Sequence, residues 1–501
     1  MMQLQTAQLL NMDEVRVDPT WAFRVPPSLA MRRLVLPFAS IDGQVYVACA
    51  DERDTAALEA VQRLVELPVF PRPAEAESLK RVIARIFGDG KGAATSGVPL
   101  RRRIDARAAI DADSKDATGL CDELLHAAMV RGASDVHIDP GDKFVQVRFR
   151  VDGMLERYRQ LPVTVNNGVI SRFKVLASMD IAEKRAPQDG RFTHSTGANT
   201  QPIDVRVATL PTTFGERMTL RLLALQTESL TLERLGMAQR DLAVFESAIN
   251  LPHGMILLTG PTGSGKTTTL YAALRRLIAQ EEWNIVTIED PIEYRIPGVA
   301  QVEVDSADKV SFGKALRSVL RHDPDIVMIG EIRDLETADV AVKASLTGHL
   351  VLSTLHTNTA ASVITRLSDM GVERYLTAAT VRLAVAQRLV RQLCAHCRTP
   401  RELTPQEALA FGKADVAGAT VYEPGGCLYC ANRGFRGRLG IFELLPIDES
   451  LARDVARGAE EAEITAYMRD RSIGRLSADA LAKVLEGETT VRDALTAVTN
   501  W

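Results

Sequence analysis

The sequence predicts a multidomain α/β protein with a parallel sheet at its main core, and three observations carry this prediction. The chain has 501 residues, more than one core usually serves, because single domains run to about 100–200 residues. Apolar strands and helical segments alternate from about residue 240 to residue 390, which is the pattern of βαβ units. Within that stretch, a glycine-rich loop joins an apolar strand to a helix.

The composition is that of a soluble globular protein without a strong positive field. Hydrophobic residues make up 46% of the chain, and 60 Lys and Arg residues against 64 Asp and Glu residues give a formal net charge of −4. A nucleic-acid partner is therefore not expected. The N-terminus lacks a basic start with a short apolar core, and no run approaches about 18 apolar residues. We expect a cytoplasmic protein whose membrane contacts are made through partners.

Composition and periodicity predict an N-terminal module followed by a linker. Residues 1–87 form the module, because "RLVLPFASIDGQVYVACA" contains two β-rich runs around Asp42-Gly43 and "DTAALEAVQRLVEL" has helical spacing. Residues 88–115 include "GDGKGAATSGVPLRRR", which is rich in small residues and has no periodicity. This composition predicts a flexible linker.

A second α/β domain is predicted at residues 116–225. A helix runs through "CDELLHAAMVRG", and "FVQVRFRV" alternates with period two into a turn at Asp152-Gly153, which indicates a half-buried sheet. The remaining residues, 226–501, hold the alternating strands and helices of the main core.

The glycine-rich loop is the strongest functional signal in the chain. In "TGPTGSGKTTTL", Gly260-x-x-x-x-Gly265-Lys266-Thr267 follows the apolar strand "MILLT" and precedes a helix, the setting that a phosphate-binding loop needs. Lys266 would reach the β- and γ-phosphates of ATP, and Thr267 would ligate Mg²⁺. The candidate ATP-binding residues are Gly260, Pro261, Thr262, Gly263, Ser264, Gly265, Lys266, Thr267 and Thr268.

Acidic residues follow the next two predicted strands. "NIVTIEDPIEY" places Glu289, Asp290 and Glu293 at the carboxyl edge of the sheet, where carboxylates hold Mg²⁺ or orient water; a surface acidic turn is the alternative. "DIVMIGEIRD" ends a strand in Gly330-Glu331, where a P-loop ATPase usually has an aspartate before the glutamate. Coordination of Mg²⁺ is therefore predicted to depend on Glu331.

Two histidines and the motifs before them carry a family resemblance. "TGHLVLSTLHT" places His349 and His356 at the ends of a strand-like segment, where they could sense the γ-phosphate, although single histidines are more often packed or capping residues. The phosphate-binding loop, "TIEDPIEY", "GEIRD" and this segment resemble, in this order, the Walker A, Asp box, Walker B and His box motifs of the secretion ATPase superfamily, which drives type II secretion and type IV pili. The resemblance extends from about residue 19 to residue 500.

The resemblance implies a RecA-like ATPase core, at 226–501, and a role for each motif. Glu293 would activate or position the attacking water, and Glu331 would act on Mg²⁺. His349 and His356 would couple the γ-phosphate to subunit movement.

The second domain contributes candidate arginine fingers. "ASDVHIDP", "RAPQDGRF" and "DVRVATLPTTFGERMTLR" resemble the superfamily's N2 domain, which is PAS-like. A guanidinium brought in by a mobile domain stabilises the charge of phosphoryl transfer. The resemblance places this role on Arg191 and Arg206, with Arg217 and Arg221 as weaker candidates. From the residues alone, surface ion pairs are the alternative role for Arg191 and Arg206. The sequence leaves open whether these arginines reach the nucleotide of their own chain or that of a neighbouring chain.

Two C-x-x-C pairs predict a metal site in the segment 394–430. "CAHC" and "CLYC" supply four thiolates, which favour tetrahedral Zn²⁺, with redox pairs as the alternative. The ligands would be Cys394, Cys397, Cys427 and Cys430. His396 is expected to be an ordinary exposed residue, and Cys49 and Cys121 are expected to be small core residues. The superfamily resemblance implies a zinc-bearing arm that shapes a protein-docking surface.

The resemblance implies a cytoplasmic homohexameric ATPase that powers pseudopilus assembly and protein export by type II secretion. Residues 1–87 would bind the cytoplasmic domain of an inner-membrane secretion protein, a platform protein would be a second partner, and the motor would attach peripherally to the inner membrane. A type IV pilus assembly motor is the alternative within the superfamily. An alternative from another class is a nucleic-acid-stimulated P-loop ATPase with a zinc ribbon. Such a protein would need a basic surface track, and the near-neutral net charge argues against one.

Overall fold

The computed structural model of the chain divides into two compact units. It describes residues 9–88, 117–195, 202–223, 231–280, 283–304 and 311–499. The N-terminal unit comprises Met1–Leu225, Cys394–Thr399 and Pro424–Arg436, and the P-loop unit comprises Gln226–Leu393, Pro400–Glu423 and Gly437–Trp501. Residues 89–115 of the predicted linker lie outside the described stretches. In the described stretches, no helix has the length and apolar character needed to cross a bilayer.

The N-terminal module, residues 9–88, is a three-stranded sheet with helices packed on it. Its elements are α1 (Pro19–Ala22), α2 (Pro27–Arg33), β1 (Val35–Ile41), β2 (Gln44–Cys49), α3 (Thr55–Val65), β3 (Val69–Pro73) and α4 (Ala76–Phe87). β1 and β2 are antiparallel, and β3 is parallel to β2. Asp42 and Gly43 have φ angles of 51° and 77°, as the two central residues of a type I′ hairpin turn require. The two β-rich runs predicted around these residues are confirmed as β1 and β2.

The second domain, residues 117–223, is an antiparallel sheet with two helices. Its elements are α5 (Ala117–Arg131), β4 (Ala133–Pro140), β5 (Phe144–Val151), β6 (Met154–Pro162), α6 (Asn166–Leu176), β7 (Gln188–His194), β8 (Ile203–Thr212) and β9 (Gly215–Leu223). The strand order is β6-β5-β4-β9-β8-β7. Every second residue of β5 is buried, which confirms the predicted half-buried strand. The buried face joins α5 and α6 in one hydrophobic core.

The P-loop unit is built on a seven-stranded sheet in the order β12-β11-β13-β14-β10-β15-β18. Its first elements are α7 (Gln239–Ile249), β10 (Gly254–Thr259), α8 (Lys266–Ile278), β11 (Ile285–Glu289), β12 (Ala300–Glu303), α9 (Phe312–Val319), β13 (Ile326–Ile329), α10 (Leu335–Leu346), β14 (Leu350–Leu355), α11 (Ala361–Asp369), α12 (Arg374–Thr380) and β15 (Val381–Leu393). The strands from β12 to β15 in that order pair in parallel. The predicted parallel sheet is confirmed.

The sheet is covered on both faces, which explains its uninterrupted apolar strands. All residues of β10, β13 and β14 are buried, as expected for parallel strands between two layers. Alternate residues enter different cores: Met255 and Leu257 pack with α10, while Ile256 and Leu258 pack with α8. The P-loop unit is therefore a three-layer structure, with the loops that follow the strands gathered at one edge.

The rest of the chain forms an insertion, the last strand and a helical end. These elements are β16 (Thr399–Glu402), α13 (Pro405–Ala410), β17 (Thr420–Glu423), β18 (Phe435–Pro446), α14 (Glu449–Arg457), α15 (Glu461–Asp470), α16 (Leu476–Leu485) and α17 (Val491–Thr499). The segments Cys394–Thr399 and Pro424–Arg436, here called the cysteine knuckles, belong to the N-terminal unit. The segment 394–430 was predicted to be an arm of the ATPase domain, 226–501.

Candidate functional site

The phosphate-binding loop runs from the end of β10 to the start of α8. Gly260, Gly263 and Gly265 have φ angles of 146°, 80° and 90°, a region that residues with a Cβ rarely adopt. A Cβ at Gly260 would lie 2.5 Å from the carbonyl oxygen of Gln387, and one at Gly265 would lie 2.8 Å from the Gln387 Nε2. Glycine is therefore required at both positions. A loop wrapped this closely presents its N–H groups to an anion.

The first turn of α8 completes the predicted ATP-binding segment. α8 begins at Lys266, so the positive end of the helix dipole lies at the loop. Thr262, Gly263 and Thr267 are exposed, whereas Ser264 and Lys266 are buried. The hydroxyl of Thr267 is thus accessible to a metal ion that accompanies a nucleotide.

Lys266 lies over its own loop. Its Nζ donates hydrogen bonds to the carbonyl oxygens of Gly260, at 2.7 Å, and Pro261, at 3.1 Å. Burial lowers the pKa of Lys266 to about 8; Glu331 opposes this shift and Arg388 adds to it. A phosphate beside Nζ would favour the charged form, so phosphate binding and protonation of Lys266 are linked.

Glu331 follows β13 and is the centre of a charged cluster. Its carboxylate pairs with the guanidinium of Arg333 and lies 3.4 Å from Nε2 of His356. Arg333 is also 4.0 Å from Asp290. Burial opposes ionisation of Glu331, but Arg333 and His356 more than offset it, so the pKa of Glu331 lies below its usual value. Glu331 is therefore a carboxylate, the ligand type that Mg²⁺ prefers.

The parallel register explains why Glu331 and His356 meet beside the P-loop. β13 pairs with β14, and β14 pairs with β10; Ile329 and Leu257 both lie opposite Ser353. Parallel strands end at the same edge of a sheet, and residues that follow them share that edge. Sequence order alone could predict this meeting, because each residue lies within two positions of the end of an apolar strand.

His349 lies away from this cluster. It precedes β14, and its carbonyl oxygen accepts a hydrogen bond from the N–H of Gly254 at the start of β10. The six residues of β14 span about 20 Å and separate it from His356. Its Nδ1 lies 2.9 Å from the carbonyl oxygen of Ala344. Of the two histidines predicted to sense the γ-phosphate, His356 lies at the edge that carries this chain's P-loop and His349 lies at the opposite end of β14.

The two glutamates of "TIEDPIEY" have different surroundings. Glu289 is 3% exposed, and its carboxylate accepts hydrogen bonds from Tyr271, from Thr287 at 2.6 Å and from Gln301 at 3.1 Å. Both of its oxygens are therefore engaged inside the fold. Glu293 is half-buried, and within the described stretches its carboxylate has no hydrogen-bond or ion-pair partner. Of the two, Glu293 is the one that can meet a water molecule.

Arg191 and Arg206 lie opposite each other in the second domain. They are register partners on β7 and β8, and Arg206 is the register partner of Arg221 on β9. The residues that alternate with them in β8 and β9 are buried, so the three arginines form a row on the other face of the sheet. Arg217 and Arg221 form ion pairs with aspartates of β4 at 2.7 Å and 3.1 Å.

Two side chains of β15 that lie outside the predicted motifs also support the P-loop. Gln387 accepts a hydrogen bond from Thr269 of α8 at 2.9 Å. Arg388 donates one to the carbonyl oxygen of Asn358 at 3.0 Å, and both side chains are buried. Gln387 is 118 residues from Thr269 in the sequence, so no local motif joins them. The one available signal was a polar pair inside the apolar run "LAVAQRLV".

The four cysteines predicted to bind zinc come together in the cysteine knuckles. Their Sγ atoms all lie within 4.8 Å of one another, and three of the pairs are 3.8 Å apart: Cys394–Cys427, Cys397–Cys430 and Cys427–Cys430. Four sulfurs placed about 2.3 Å from a central Zn²⁺ at tetrahedral corners are about 3.8 Å apart, whereas a disulfide needs about 2.05 Å. The donor set therefore fits zinc. His396 stacks on Tyr429, with ring centroids 3.8 Å apart.

Two known sequence families match the chain. The family described as "Type II/IV secretion system protein" matches residues 111–496, and the "MshEN domain" matches residues 6–93. The chain belongs to the type II/IV secretion system protein family. As a member of this family it is an ATP hydrolase of protein secretion, which acts on ATP with Mg²⁺. The superfamily predicted from the motif order is confirmed.

Curated relatives cover most of the chain. The type II secretion system protein E of Dickeya dadantii is 42% identical, over 89% of this chain and 90% of the relative. That of Pseudomonas aeruginosa is 40% identical, over 94% and 95%. The type IV pilus assembly ATPase PilB of Myxococcus xanthus is 38% identical, over 97% and 88%. Members of both motor classes are thus related to nearly the whole chain.

Solved structures share the fold. The ATPase DotB of Legionella pneumophila matches with a TM-score of 0.56 at 22% identity, over 76% of this chain and 96% of DotB. The pilus retraction motor PilT matches with a TM-score of 0.53 at 26% identity, over 75% and 96%. Together with the clustered cysteines, these findings confirm the predicted fold class of a P-loop ATPase core with a smaller α/β domain, an N-terminal module and a four-cysteine insertion.

Proposed function

We propose that this chain is the motor ATPase of a type II secretion system and hydrolyses ATP to power pseudopilus assembly and protein export. One observation carries the proposal. In a chain of the secretion family, the P-loop with Lys266, the ionised Glu331 and His356 lie together at one edge of the sheet. Phosphoryl transfer needs these parts, because it depends on positioned phosphates, a bound metal ion and stabilisation of charge.

Each residue at this edge has a proposed role. The N–H groups of residues 260–268 and the ammonium of Lys266 hold the β- and γ-phosphates. Thr267 and Glu331 hold Mg²⁺, and Glu293 orients the attacking water, since its carboxylate has no partner within the described stretches. His356 links the γ-phosphate to Glu331, with which it is already in contact at 3.4 Å.

Arg191 and Arg206 are the proposed arginine fingers. Their adjacent positions on the sheet face opposite the core support the proposal, because a pair of neighbouring guanidiniums can stabilise more transition-state charge than one. In a homohexamer, closure of the second domain (116–225) onto a P-loop would tie hydrolysis to motion of the ring.

The cysteine cluster is proposed to hold a structural Zn²⁺ through Cys394, Cys397, Cys427 and Cys430. A bound zinc ion with four thiolate ligands has no open position for catalysis. Its role would be to hold the two knuckles in one shape.

Partners follow from the proposed domain organisation. Residues 1–87 would bind the cytoplasmic domain of an inner-membrane secretion protein, residues 88–115 would act as the linker, and residues 226–501 would turn ATP hydrolysis into motion of an inner-membrane platform protein. The motor would then be cytoplasmic and peripherally attached to the inner membrane. No nucleic acid takes part, consistent with the net charge of −4.

A type IV pilus assembly motor is the second candidate, and one observation favours it. PilB of Myxococcus xanthus is 38% identical over 97% of this chain, so the two classes share the site. The type II relatives have higher identity, 42% and 40%, and this difference places type II secretion first.

The deciding experiment is capture of partners by the full-length chain. The tagged protein, with ATP and Mg²⁺, would be incubated with detergent-solubilised membranes of the same bacterium, and bound proteins identified by mass spectrometry. Recovery of inner-membrane type II secretion proteins supports the proposal, whereas recovery of pilus assembly proteins moves the chain to the second candidate. In parallel, ATP turnover that rises on addition of DNA or RNA would contradict both.

A further inference from the structure

The loop that carries Glu293 is held by two buried side chains and one half-buried side chain from neighbouring elements. Tyr271, Glu289 and Gln301 form this set, here called the anchor cluster. Tyr271 is 0% exposed in the second turn of α8, Glu289 ends β11 and Gln301 lies on β12. Three elements in succession along the chain therefore each contribute one side chain to the cluster, and the loop with Glu293 joins two of them.

The hydroxyl of Tyr271 donates one hydrogen bond and accepts another. Burial and the neighbouring charge of Glu289 raise the pKa of Tyr271, so the hydroxyl keeps its proton and donates it to Oε2 of Glu289. The same oxygen accepts the main-chain N–H of Glu293 at 3.4 Å. The hydroxyl thus connects the end of β11 to the backbone from which the Glu293 side chain projects.

Gln301 holds the other side of the loop. Its Nε2 donates to Oε1 of Glu289 and to the carbonyl oxygen of Tyr294, both at 3.1 Å, and its Oε1 accepts the N–H of Ile296 at 2.7 Å. Tyr294 directly follows Glu293 in the sequence. The backbone around Glu293 is therefore held by hydrogen bonds from the side chains of Tyr271 and Gln301 rather than by its own regular structure.

We propose that Tyr271 is a positioning residue for Glu293, so that α8 sets the place of the glutamate through the Tyr271 hydroxyl. This inference rests on the proposed role of Glu293 in orienting the attacking water. One helix would then serve both reacting partners, because its first turn carries Lys266 and its second turn holds the loop of Glu293. Misplacement of a reacting group by about 1 Å can cost about 100-fold in rate.

The test is steady-state hydrolysis by the full-length Tyr271→Phe variant, which removes only the hydroxyl. We expect kcat to fall about 10- to 100-fold with KM for ATP nearly unchanged, because the phosphate-binding loop is untouched. The matched control is Tyr294→Phe. Its ring lies 4.4 Å from that of Tyr271, so it removes a hydroxyl from the same packing site without removing a contact to Glu293, and we expect wild-type kcat.

A double-mutant cycle with Glu293→Gln separates this inference from the proposed function. If Tyr271 acts through Glu293, adding Tyr271→Phe to Glu293→Gln lowers kcat no further. An undiminished loss in that background, or a kcat within twofold of wild type for Tyr271→Phe alone, overturns the inference. Wild-type kcat for Glu293→Gln overturns instead the proposed role of Glu293.

Loss of the Tyr271 hydroxyl leaves a buried carboxylate oxygen without its donor, which can destabilise the fold. If Tyr271→Phe fails to fold, the double variant Tyr271→Phe/Glu289→Met takes its place, because it removes the unpaired charge together with the hydroxyl. The same split between kcat and KM is expected, and equal losses in kcat and in nucleotide affinity would show a general structural role.

Discussion

The ammonium group of Lys266 lies 2.7 Å from the carbonyl oxygen of Gly260. Gly260 is the first glycine of the phosphate-binding loop, and Lys266 directly follows the last one. The loop thus supplies the acceptors of its own lysine, and an arriving phosphate would replace them. Because Lys266 is only 8% exposed, its charge has little access to water and gains most from a bound anion. Both affinity and turnover should therefore depend on this one side chain.

Substitution of Lys266 by alanine is expected to abolish ATP hydrolysis with the fold intact. The side chain is the one lysine of the loop, and its loss removes the charge that meets the β- and γ-phosphates. Turnover is measured by phosphate release, and folding by circular dichroism and thermal unfolding. Lys343→Ala is the control, since Lys343 is an exposed lysine paired with Asp339 on α10. Wild-type turnover by Lys266→Ala would refute the assignment of the loop.

Nucleotide affinity is expected to fall as pH rises above about 8. Burial lowers the pKa of Lys266 to about 8, so below that pH the lysine is already charged and affinity is complete. Above it, binding must take up a proton, and the apparent Kd rises by up to tenfold per pH unit. Titration of a fluorescent ATP analogue from about pH 7 to about pH 10 measures this slope. In Lys266→Arg the guanidinium stays charged, and the slope should vanish; a slope that persists there assigns the proton to another group.

Loss of a proposed arginine finger is expected to lower turnover without weakening nucleotide binding. Arg191→Ala or Arg206→Ala removes a guanidinium that would act in the transition state, an effect on the order of 10³-fold in kcat. Nucleotide affinity is measured separately by fluorescence. Arg159→Ala on the opposite edge strand, β6, removes an arginine of the same domain that pairs with Glu123 and should leave kcat unchanged. An arginine whose removal leaves kcat unchanged has no part in the reaction.

Local patterns were enough to predict much of the fold. The β-rich runs around Asp42-Gly43 and the turn at Asp152-Gly153 were predictable, because the positive φ angles of these dipeptides are a local property of a tight turn. The buried strands of the parallel sheet were predictable because burial on both faces leaves few polar residues in them. By contrast, no periodicity indicated that the cysteine knuckles form one compact unit with the N-terminal module, because packing between distant segments leaves no local pattern.

The residues of the candidate site likewise include some that local sequence predicts and some that depend on tertiary packing. Lys266, Glu331 and His356 each directly follow an apolar strand or its loop, and strand direction brings them to one edge. The motif shows that two histidines flank a strand, and the structure adds that the strand's ends, and so His349 and His356, are about 20 Å apart. Gln387 and Tyr271 were missed because their hydrogen-bond partners lie on other elements of the fold. Only tertiary packing brings these partners together.

Zinc is expected to hold the N-terminal module in place as well as the knuckles. Leu428 and Tyr429 pack against the core of the module, and the carbonyl oxygen of Tyr429 accepts the N–H of Arg16 at 3.0 Å. Arg436 donates to the carbonyl oxygen of Glu14 at 2.5 Å. Because metal binding and the folding of its ligand segments are coupled, loss of zinc should loosen these contacts.

Metal analysis should return about one zinc ion per wild-type chain and less than a tenth of that for Cys427→Ser. In the variant, hydrogen exchange should rise in residues 12–18, which include Glu14 and Arg16 with their hydrogen bonds to the knuckles. Cys121→Ala is the matched control, because Cys121 is a buried cysteine outside the cluster, and it should keep its zinc and its exchange pattern. Wild-type protein with less than a tenth of a zinc ion per chain would favour redox pairs. Zinc loss without faster exchange would limit the metal to the knuckles themselves.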